Sequence, residues 1–231
     1  DDAYEIQRAW VGRMLGEGRT IIGRKVGLTS KPMQRAMGIA EPDFGVLTDD
    51  MRFEDGGDVS VDLFNYPRVE AELAFELGAD LVGPGVTAVD VRAATSRIVP
   101  AIEILDSRVE MTDASTGHRR TIVDTVSDNA ANAGIIVGTG SIDPATYNPR
   151  EVSTVLTINN VIEETGVASA VLGDPAEAVA WLANRIAEFG ERLHAGESVL
   201  SGALMQSIPV QRGDIVHAEF GSLGEVSCRF V

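Results

Sequence analysis

Three glutamates carry the chemistry that this sequence most directly offers. Glu70 and Glu72 stand two residues apart in Pro67-Arg68-Val69-Glu70-Ala71-Glu72-Leu73-Ala74-Phe75, a run with strand character. Strand alternation sends both, together with Arg68 and Glu76, to one face, while Val69, Ala71, Leu73 and Phe75 face the other way. Two carboxylates ~7 Å apart along a strand repel each other unless a cation or solvent intervenes, so this pair fits a solvated face as well as a cation site. Glu103 changes the balance. It lies in Ile98-Val99-Pro100-Ala101-Ile102-Glu103-Ile104-Leu105, with apolar neighbours on both sides. A carboxylate in such a run must be paired, protonated or bound to metal, because an isolated buried charge costs several kcal/mol. Three carboxylates without a Cys or His cluster suit a hard, oxygen-loving ion, Mg²⁺ or Mn²⁺ rather than zinc. Such an ion leaves positions open for the carboxylate and ketone oxygens of a 2-keto acid, whose enolate it would stabilise as a Lewis acid.

Lys25 is the candidate local cation for a small anionic substrate. It lies in Thr20-Ile21-Ile22-Gly23-Arg24-Lys25-Val26-Gly27-Leu28, where Gly23 and Gly27 share its face and leave room beside the ammonium. A lysine snorkelling to the surface would fit the same string. Asp43, in Glu41-Pro42-Asp43-Phe44-Gly45, reads either as a turn residue or as a base. His118, His194 and His217 are scattered, and no Ser-x-x-Lys, G-x-S-x-G, CxxC or P-loop pattern occurs, so nucleophilic and nucleotide-binding chemistry finds no support.

The elements that must position these residues follow from periodicity. Residues 2–16 predict a helix with an apolar stripe of Tyr4, Ile6, Trp10, Val11, Met14 and Leu15. Residues 20–28 predict a glycine-rich strand, followed by a loop punctuated by Pro32, Gly38 and Pro42. Strands are expected over 69–77 and 98–105, and a short helix over 87–95 behind a Thr-x-x-Asp capping box. Asp174-Pro175-Ala176-Glu177 combines an Asp N-cap, Pro at the first helical position and Glu at the third, so a helix starts there and ends before Gly190. The tail returns to strands at 199–200, 215–220 and 226–231. Strands outnumber helices without regular alternation, which predicts an α+β fold around a rolled or barrel-like sheet, in one catalytic domain spanning 1–231.

Composition narrows the partners. The 231 residues are 44% hydrophobic and 23% charged, ordinary for a globular domain with a substantial core. A net charge of −16 repels polyanions over long range and no basic stripe interrupts it, so neither nucleic acid nor an anionic membrane is expected as a partner. No apolar stretch approaches the ~18 residues of a membrane span. The lone Cys228 cannot form an internal disulfide and is expected to be buried near the last strand, which points to a reducing cytoplasm. The chain starts at Asp1 rather than Met, so a further N-terminal stretch is expected before it.

Several motifs in order resemble the hydratase and decarboxylase branch of the fumarylacetoacetate hydrolase superfamily. They are Gly23-Arg24-Lys25-Val26-Gly27-Leu28-Thr29-Ser30, Glu41 to Gly45, Pro67 to Phe75, Pro100-Ala101-Ile102-Glu103, and Ser127-Asp128-Asn129-Ala130-Ala131-Asn132-Ala133-Gly134. The likeness spans the whole chain. Within that branch, Val161 to Gly166, Ala180 to Asn184 and Ser227 to Val231 are most similar to the members that hydrate 2-oxohept-4-ene-1,7-dioate to 4-hydroxy-2-oxoheptanedioate in aromatic catabolism. Close cousins act as 2-oxopent-4-enoate hydratases or 4-oxalocrotonate decarboxylases. The resemblance implies a fumarylacetoacetate hydrolase-like β-roll, Mg²⁺ as cofactor with Mn²⁺ as the variant, and a homo-oligomer, commonly a decamer built as a pentamer of dimers. It implies Glu70, Glu72 and Glu103 as metal ligands and Lys25 and Asp43 as proton-handling residues. Lys25, Leu28 and Ser201 would contact substrate. Hydrolytic members use a histidine in the N-terminal half, whereas the first histidine here is His118, which speaks against C–C hydrolysis. Arg68, Arg108 and Arg119 are candidates for a distal carboxylate or plain surface residues. A decarboxylase and a non-catalytic protein holding structural Ca²⁺ remain the rival readings.

Overall fold

The computed structural model describes residues 2–31, 34–35, 39–148 and 150–231; the loop markers Pro32 and Gly38 lie outside them. Among the described residues the chain forms four α-helices and two sheets. The larger sheet contains β1 (Ile21–Gly27), β2 (Asp43–Thr48), β3 (Arg52–Phe53), β5 (Arg68–Leu77), β6 (Thr95–Leu105), β7 (Asn132–Val137), β10 (Ser198–Leu200) and β11 (Ile208–Pro209). Its order is β2-β1-β10-β5-β6-β7-β3, with β11 pairing the start of β5. The smaller sheet runs β4-β13-β12-β8-β9, from β4 (Asp58–Val59), β8 (Ser153–Ile158), β9 (Val161–Val167), β12 (Ile215–Glu219) and β13 (Glu225–Phe230). Pairing is mixed: β1 lies parallel to β10 and β3 to β7, while β5 and β6 form a long antiparallel pair. This is the α+β, rolled-sheet architecture that the strand pattern predicts.

The strand period divides the larger sheet into two unlike faces. Val69, Ala71, Leu73 and Phe75 of β5, with Ile98, Ile102 and Ile104 of β6, enter the main core beneath α2 (Ala88–Ala94) and α4 (Pro175–Ala187). The other face carries a smaller apolar cluster of Leu47, Ala74, Val99, Ala101, Ile135 and Leu200. Lys25 of β1 and Glu103 of β6 belong to this second face and are three strands apart, about 14 Å on a flat sheet at ~4.8 Å per strand. Their Nζ and Oε1 atoms are nonetheless 3.3 Å apart. The sheet therefore curls, and the second face is its concave side.

Local signals account for the helices. Thr87 caps α2 through the reciprocal Thr87–Asp90 box, and Asp174 caps α4 by accepting from the Ala176 N–H at 3.0 Å. A short helix not read from the sequence, α3 (Ile122–Ser127), starts with a second such box between Thr121 and Asp124. Helix α1 (Asp2–Gly16) occupies the predicted span but buries a different stripe: Tyr4, Gln7, Val11 and Met14. Ile6 and Leu15, expected in that stripe, are exposed. Gln7 takes their place because its Nε2 donates to the carbonyls of Phe44, at 2.8 Å, and Val126, at 3.1 Å. Tyr4 stacks on Phe44 with centroids 4.4 Å apart, so α1 is fastened to β2 by both a ring and an amide. Gln7→Leu keeps the volume but strands both carbonyls, and is expected to cost about 1–3 kcal/mol in urea unfolding. A stability equal to the native one would show that the amide does not anchor the helix.

Candidate active site

The antiparallel register of β5 and β6 sets Glu70 directly opposite Glu103 and Glu72 opposite Ala101. The three glutamates thus share the concave face, and one oxygen of each lies within 4.8 Å of the others. Glu72 and Glu103 are each 1% exposed, while Glu70 is half-buried. Ala101 is small enough to leave room in front of Glu72, and the apolar cluster behind it closes the floor. The backbone N–H of Gly202 donates to Glu72 Oε2 at 2.8 Å. Gly202 holds this position with φ +114°, and a Cβ there would meet Thr29 Oγ1 at 2.3 Å, so only glycine fits.

Lys25 and Asp43 arrive from the far side of the curl. Both are buried, in contrast to the snorkelling lysine and turn aspartate that the string also allowed. Asp43 opens β2 and pairs in register with Gly27 of β1. A Cβ on Gly27 would lie 2.2 Å from Asp43 Oδ1 and 3.3 Å from Lys25 Nζ, so this glycine is what admits both groups. Gly23 serves differently from the expected clearance beside Lys25: a Cβ there would lie 1.9 Å from the Ser198 carbonyl, so it lets β10 approach. Leu28 follows β1 with φ +57°, its carbonyl accepting from Gln34 Nε2 at 2.8 Å. The fully buried Ser201 hydroxyl donates to the Leu73 carbonyl at 2.9 Å, so this segment reaches the carboxylates through Gly202 rather than through the serine side chain. A cleft of about 300 Å³, lined by Gly27, Leu28, Ser30, Arg68, Glu70 and Gln206 among others, opens onto the site. A larger hollow of about 480 Å³ lies against α1, Arg24 and Glu191, away from the glutamates.

The electrostatics are strained. Burial, then the charge of Glu103, pushes Glu70 up to about 8, against the pull of Lys25 and Arg68. Burial with Glu103 and Glu70 holds Glu72 well above the carboxylate range. Burial also raises Asp43, opposed by Lys25. For Lys25 burial works against the charged form, but Glu103, Asp43 and the other two glutamates outweigh it and keep the ammonium. Among the described residues, Asp43 Oδ1 is buried without a hydrogen-bond partner, and Glu103 Oε1, also buried, has the Lys25 ion pair at 3.3 Å but no hydrogen bond. An all-oxygen donor set, clustered, buried and short of positive charge, fits a hard divalent cation.

One positioning device escaped the sequence reading. Edge strand β2 is held from outside by Asn129, whose Oδ1 accepts from the Val46 N–H and whose Nδ2 donates to the Val46 carbonyl, both at 2.8 Å. Asn132 Nδ2 adds a bond to the same carbonyl at 2.9 Å. Asn129, Ala130 and Ala131 are consecutively left-handed, with φ of 53°, 54° and 57°, a conformation that costs each non-glycine residue roughly 1–2 kcal/mol. The segment from Ser127 to Gly134 stood out only as part of a resemblance; the signal was there, its function as a clamp was not.

Comparison with known proteins agrees with this fold. Residues 23–231 match the family described as Fumarylacetoacetate (FAA) hydrolase C-terminal. The 2-oxo-hept-4-ene-1,7-dioate hydratase of Escherichia coli is 48% identical over 231 residues, 100% of this chain and 86% of its own length. The 2-hydroxyhexa-2,4-dienoate hydratase of Comamonas testosteroni is 40% identical, with 100% and 86% covered. The structure of 4-oxalocrotonate decarboxylase from Pseudomonas putida G7, complexed with magnesium and adipate, superposes with a TM-score of 0.93 at 35% identity, covering 100% of this chain and 85% of that one.

A raised carboxylate binds its proton more tightly folded than unfolded, so its ionisation opposes folding. In metal-free protein, Glu70 alone therefore removes stability as pH climbs from its ordinary 4.5 towards about 8, and Glu72 and Asp43 act in the same direction. Calorimetry in EDTA should show the melting temperature falling between about pH 5 and about pH 8.5, with Mg²⁺ raising it more at the alkaline end. A metal-free melting temperature that climbs across this interval would refute the electrostatic reading.

Proposed function

The chain belongs to the fumarylacetoacetate hydrolase family, and we propose that it is a divalent-metal hydro-lyase of aromatic catabolism that hydrates 2-oxohept-4-ene-1,7-dioate to 4-hydroxy-2-oxoheptanedioate. The observation that carries this reading is the convergence of Glu70, Glu72 and Glu103 beside the buried Lys25. Those three glutamates would hold Mg²⁺, or Mn²⁺ in its place, and the ion when bound supplies Lewis-acid stabilisation of negative charge on the keto-acid oxygens.

The protein's own groups do the rest. Lys25, kept charged in a water-poor setting, binds the substrate carboxylate together with the backbone of Leu28 at the cleft wall. Asp43, with Oδ1 unpartnered among the described residues and a raised proton affinity, carries the proton. The 2-hydroxydienoate loses its enol proton and gains one at C5, which gives a ketone conjugated through C3 and C4. Water then bonds through oxygen to C4, and C3 takes up a proton, so the sum is addition of one water. Ser201 contributes by fixing the turn that aims the Gly202 N–H at Glu72. The same residues suit decarboxylation of a vinylogous keto acid; the higher identity to the hydratases, 48% against 35% for the decarboxylase, favours hydration.

Two wider assignments belong with this reading. The strand β9 is an edge strand with Val161 and Ile162 exposed, which supports a homo-oligomer in which it is covered. The buried, unpaired Cys228 suits a reducing cytoplasm.

Purified protein with Mg²⁺ should bleach the ultraviolet absorbance of 2-hydroxyhepta-2,4-diene-1,7-dioate and form hydrated product without CO₂. Excess EDTA or Glu72→Gln should lower turnover roughly 100-fold or more while the fold persists. CO₂ without hydrated product would establish the decarboxylase instead. Metal-dependent melting without any turnover would establish a structural metal site.

A further inference from the structure

Arg68 opens β5, pairs with Leu105 of β6 and Pro209 of β11, and shares the concave face with Glu70 and Glu72 by strand alternation. It lines the cleft, and it is the sole cationic residue among the described residues of that lining. Its guanidinium is oriented by Ser207: Nε donates to Oγ at 2.8 Å and a terminal nitrogen donates to the carbonyl. Neither acceptor is a carboxylate, and among the described residues Arg68 forms no ion pair. A guanidinium has five N–H donors, so an oriented fork remains for a planar anion. The two other arginines that the sequence offered for this task are placed elsewhere. Arg108 is consumed by Asp128 and the Asn132 carbonyl and stacks over Trp10, while Arg119 is exposed in a loop outside the cleft.

We propose that Arg68 is the specificity-determining residue for substrate length and charge, receiving a second carboxylate at the far end of the keto acid. Two residues of strand separate it from Glu70, about 7 Å. An extended seven-carbon dioate separates its terminal carbons by a similar distance, roughly 7 Å over six bonds. With the keto-acid head at the glutamates and Lys25, the tail carboxylate falls at the guanidinium. In a chain of net charge −16, an oriented arginine with no carboxylate of the described residues at ion-pair distance is what makes a dianion acceptable there. A substrate without the second carboxylate gains nothing from Arg68, so the site discriminates dioates from monoacids.

This rests on the hydratase reading for its substrate, and the test separates the two. Wild type and Arg68→Met are compared by calorimetry, with Mg²⁺ present, for binding of 2-oxoadipate and 2-oxohexanoate, which share a six-carbon backbone and differ only in the distal carboxylate. Arg68→Met should weaken 2-oxoadipate roughly 10- to 100-fold and leave 2-oxohexanoate within about twofold, with Arg68→Lys in between. In turnover, the same variant should raise KM for 2-hydroxyhepta-2,4-diene-1,7-dioate by a similar factor while kcat and the KM for 2-hydroxyhexa-2,4-dienoate hold. Equal losses for both ligands, or none for 2-oxoadipate, would overturn the assignment. An inactive wild type that still shows the Arg68-dependent difference in binding would remove the hydratase and keep the dicarboxylate site.

Discussion

Four carboxylates and a single ammonium crowd onto the concave side of one sheet, and the mutual repulsion of those anions is the constraint to which the surrounding structure responds. Left to themselves, Glu70, Glu72, Glu103 and Asp43 would separate into water or take up protons. They are held together because the opposite face of the same strands is committed to the main core, with Val69, Ala71, Leu73 and Phe75 fully buried. A slip of one residue along β5 would carry that apolar set to the cleft and the glutamates into the core. Hydrophobic burial on the convex side thus fixes charge geometry on the concave side. What positive potential the chain provides is small and local: the Lys25 ammonium, the Gly202 N–H and the Arg68 guanidinium.

The second requirement is precision at a sheet edge. Asp43 lies on β2, the outermost strand, where half the backbone hydrogen bonds would otherwise go unmade. The chain answers with side chains that imitate a neighbouring strand. Gln7 meets the Phe44 carbonyl, and Asn129 meets both backbone groups of Val46. Each such bond is worth only about 1 kcal/mol net, but leaving a buried group unpaired costs more, so β2 has one favourable place to sit. The left-handed run at Asn129, Ala130 and Ala131 is the local sacrifice that aims that amide.

Much of this could be read from the string of residues, and what could not shares one character. The paired glutamates, the apolar setting of Glu103, the Thr87–Asp90 box and the Asp174 cap are local patterns, and local patterns survive folding unchanged. The buried face of α1 was misjudged because Gln7 is drawn inward by carbonyls 37 and 119 residues away. Gly23 and Gly27 looked alike in sequence, yet one accommodates a neighbouring backbone and the other the side chains of Asp43 and Lys25. The meeting of Lys25 with Glu103 depends on the curl of the sheet, a property of several strands at once. The clamp at Asn129 gave no glycine to mark its positive φ values. Ser201 stood out only through a resemblance, and that its segment meets Glu72 through the Gly202 N–H is a matter of backbone geometry that residue types do not show.

The parallel pairing of β1 with β10 has a temporal side. In the backbone ladder of the larger sheet, β1 and β2 are joined to the remaining strands through residues 198–200. Lys25 and Asp43 are made well before the strand against which β1 docks, which follows roughly ten to thirty seconds later at 5–20 residues per second. The β5–β6 pair with its glutamates can assemble in the interval, but the β1–β2 pair with Lys25 and Asp43 waits for β10 to join it to β5. Chains broken off before residue 198 would carry Lys25, Asp43 and the three glutamates but lack the strand that joins β1 to β5.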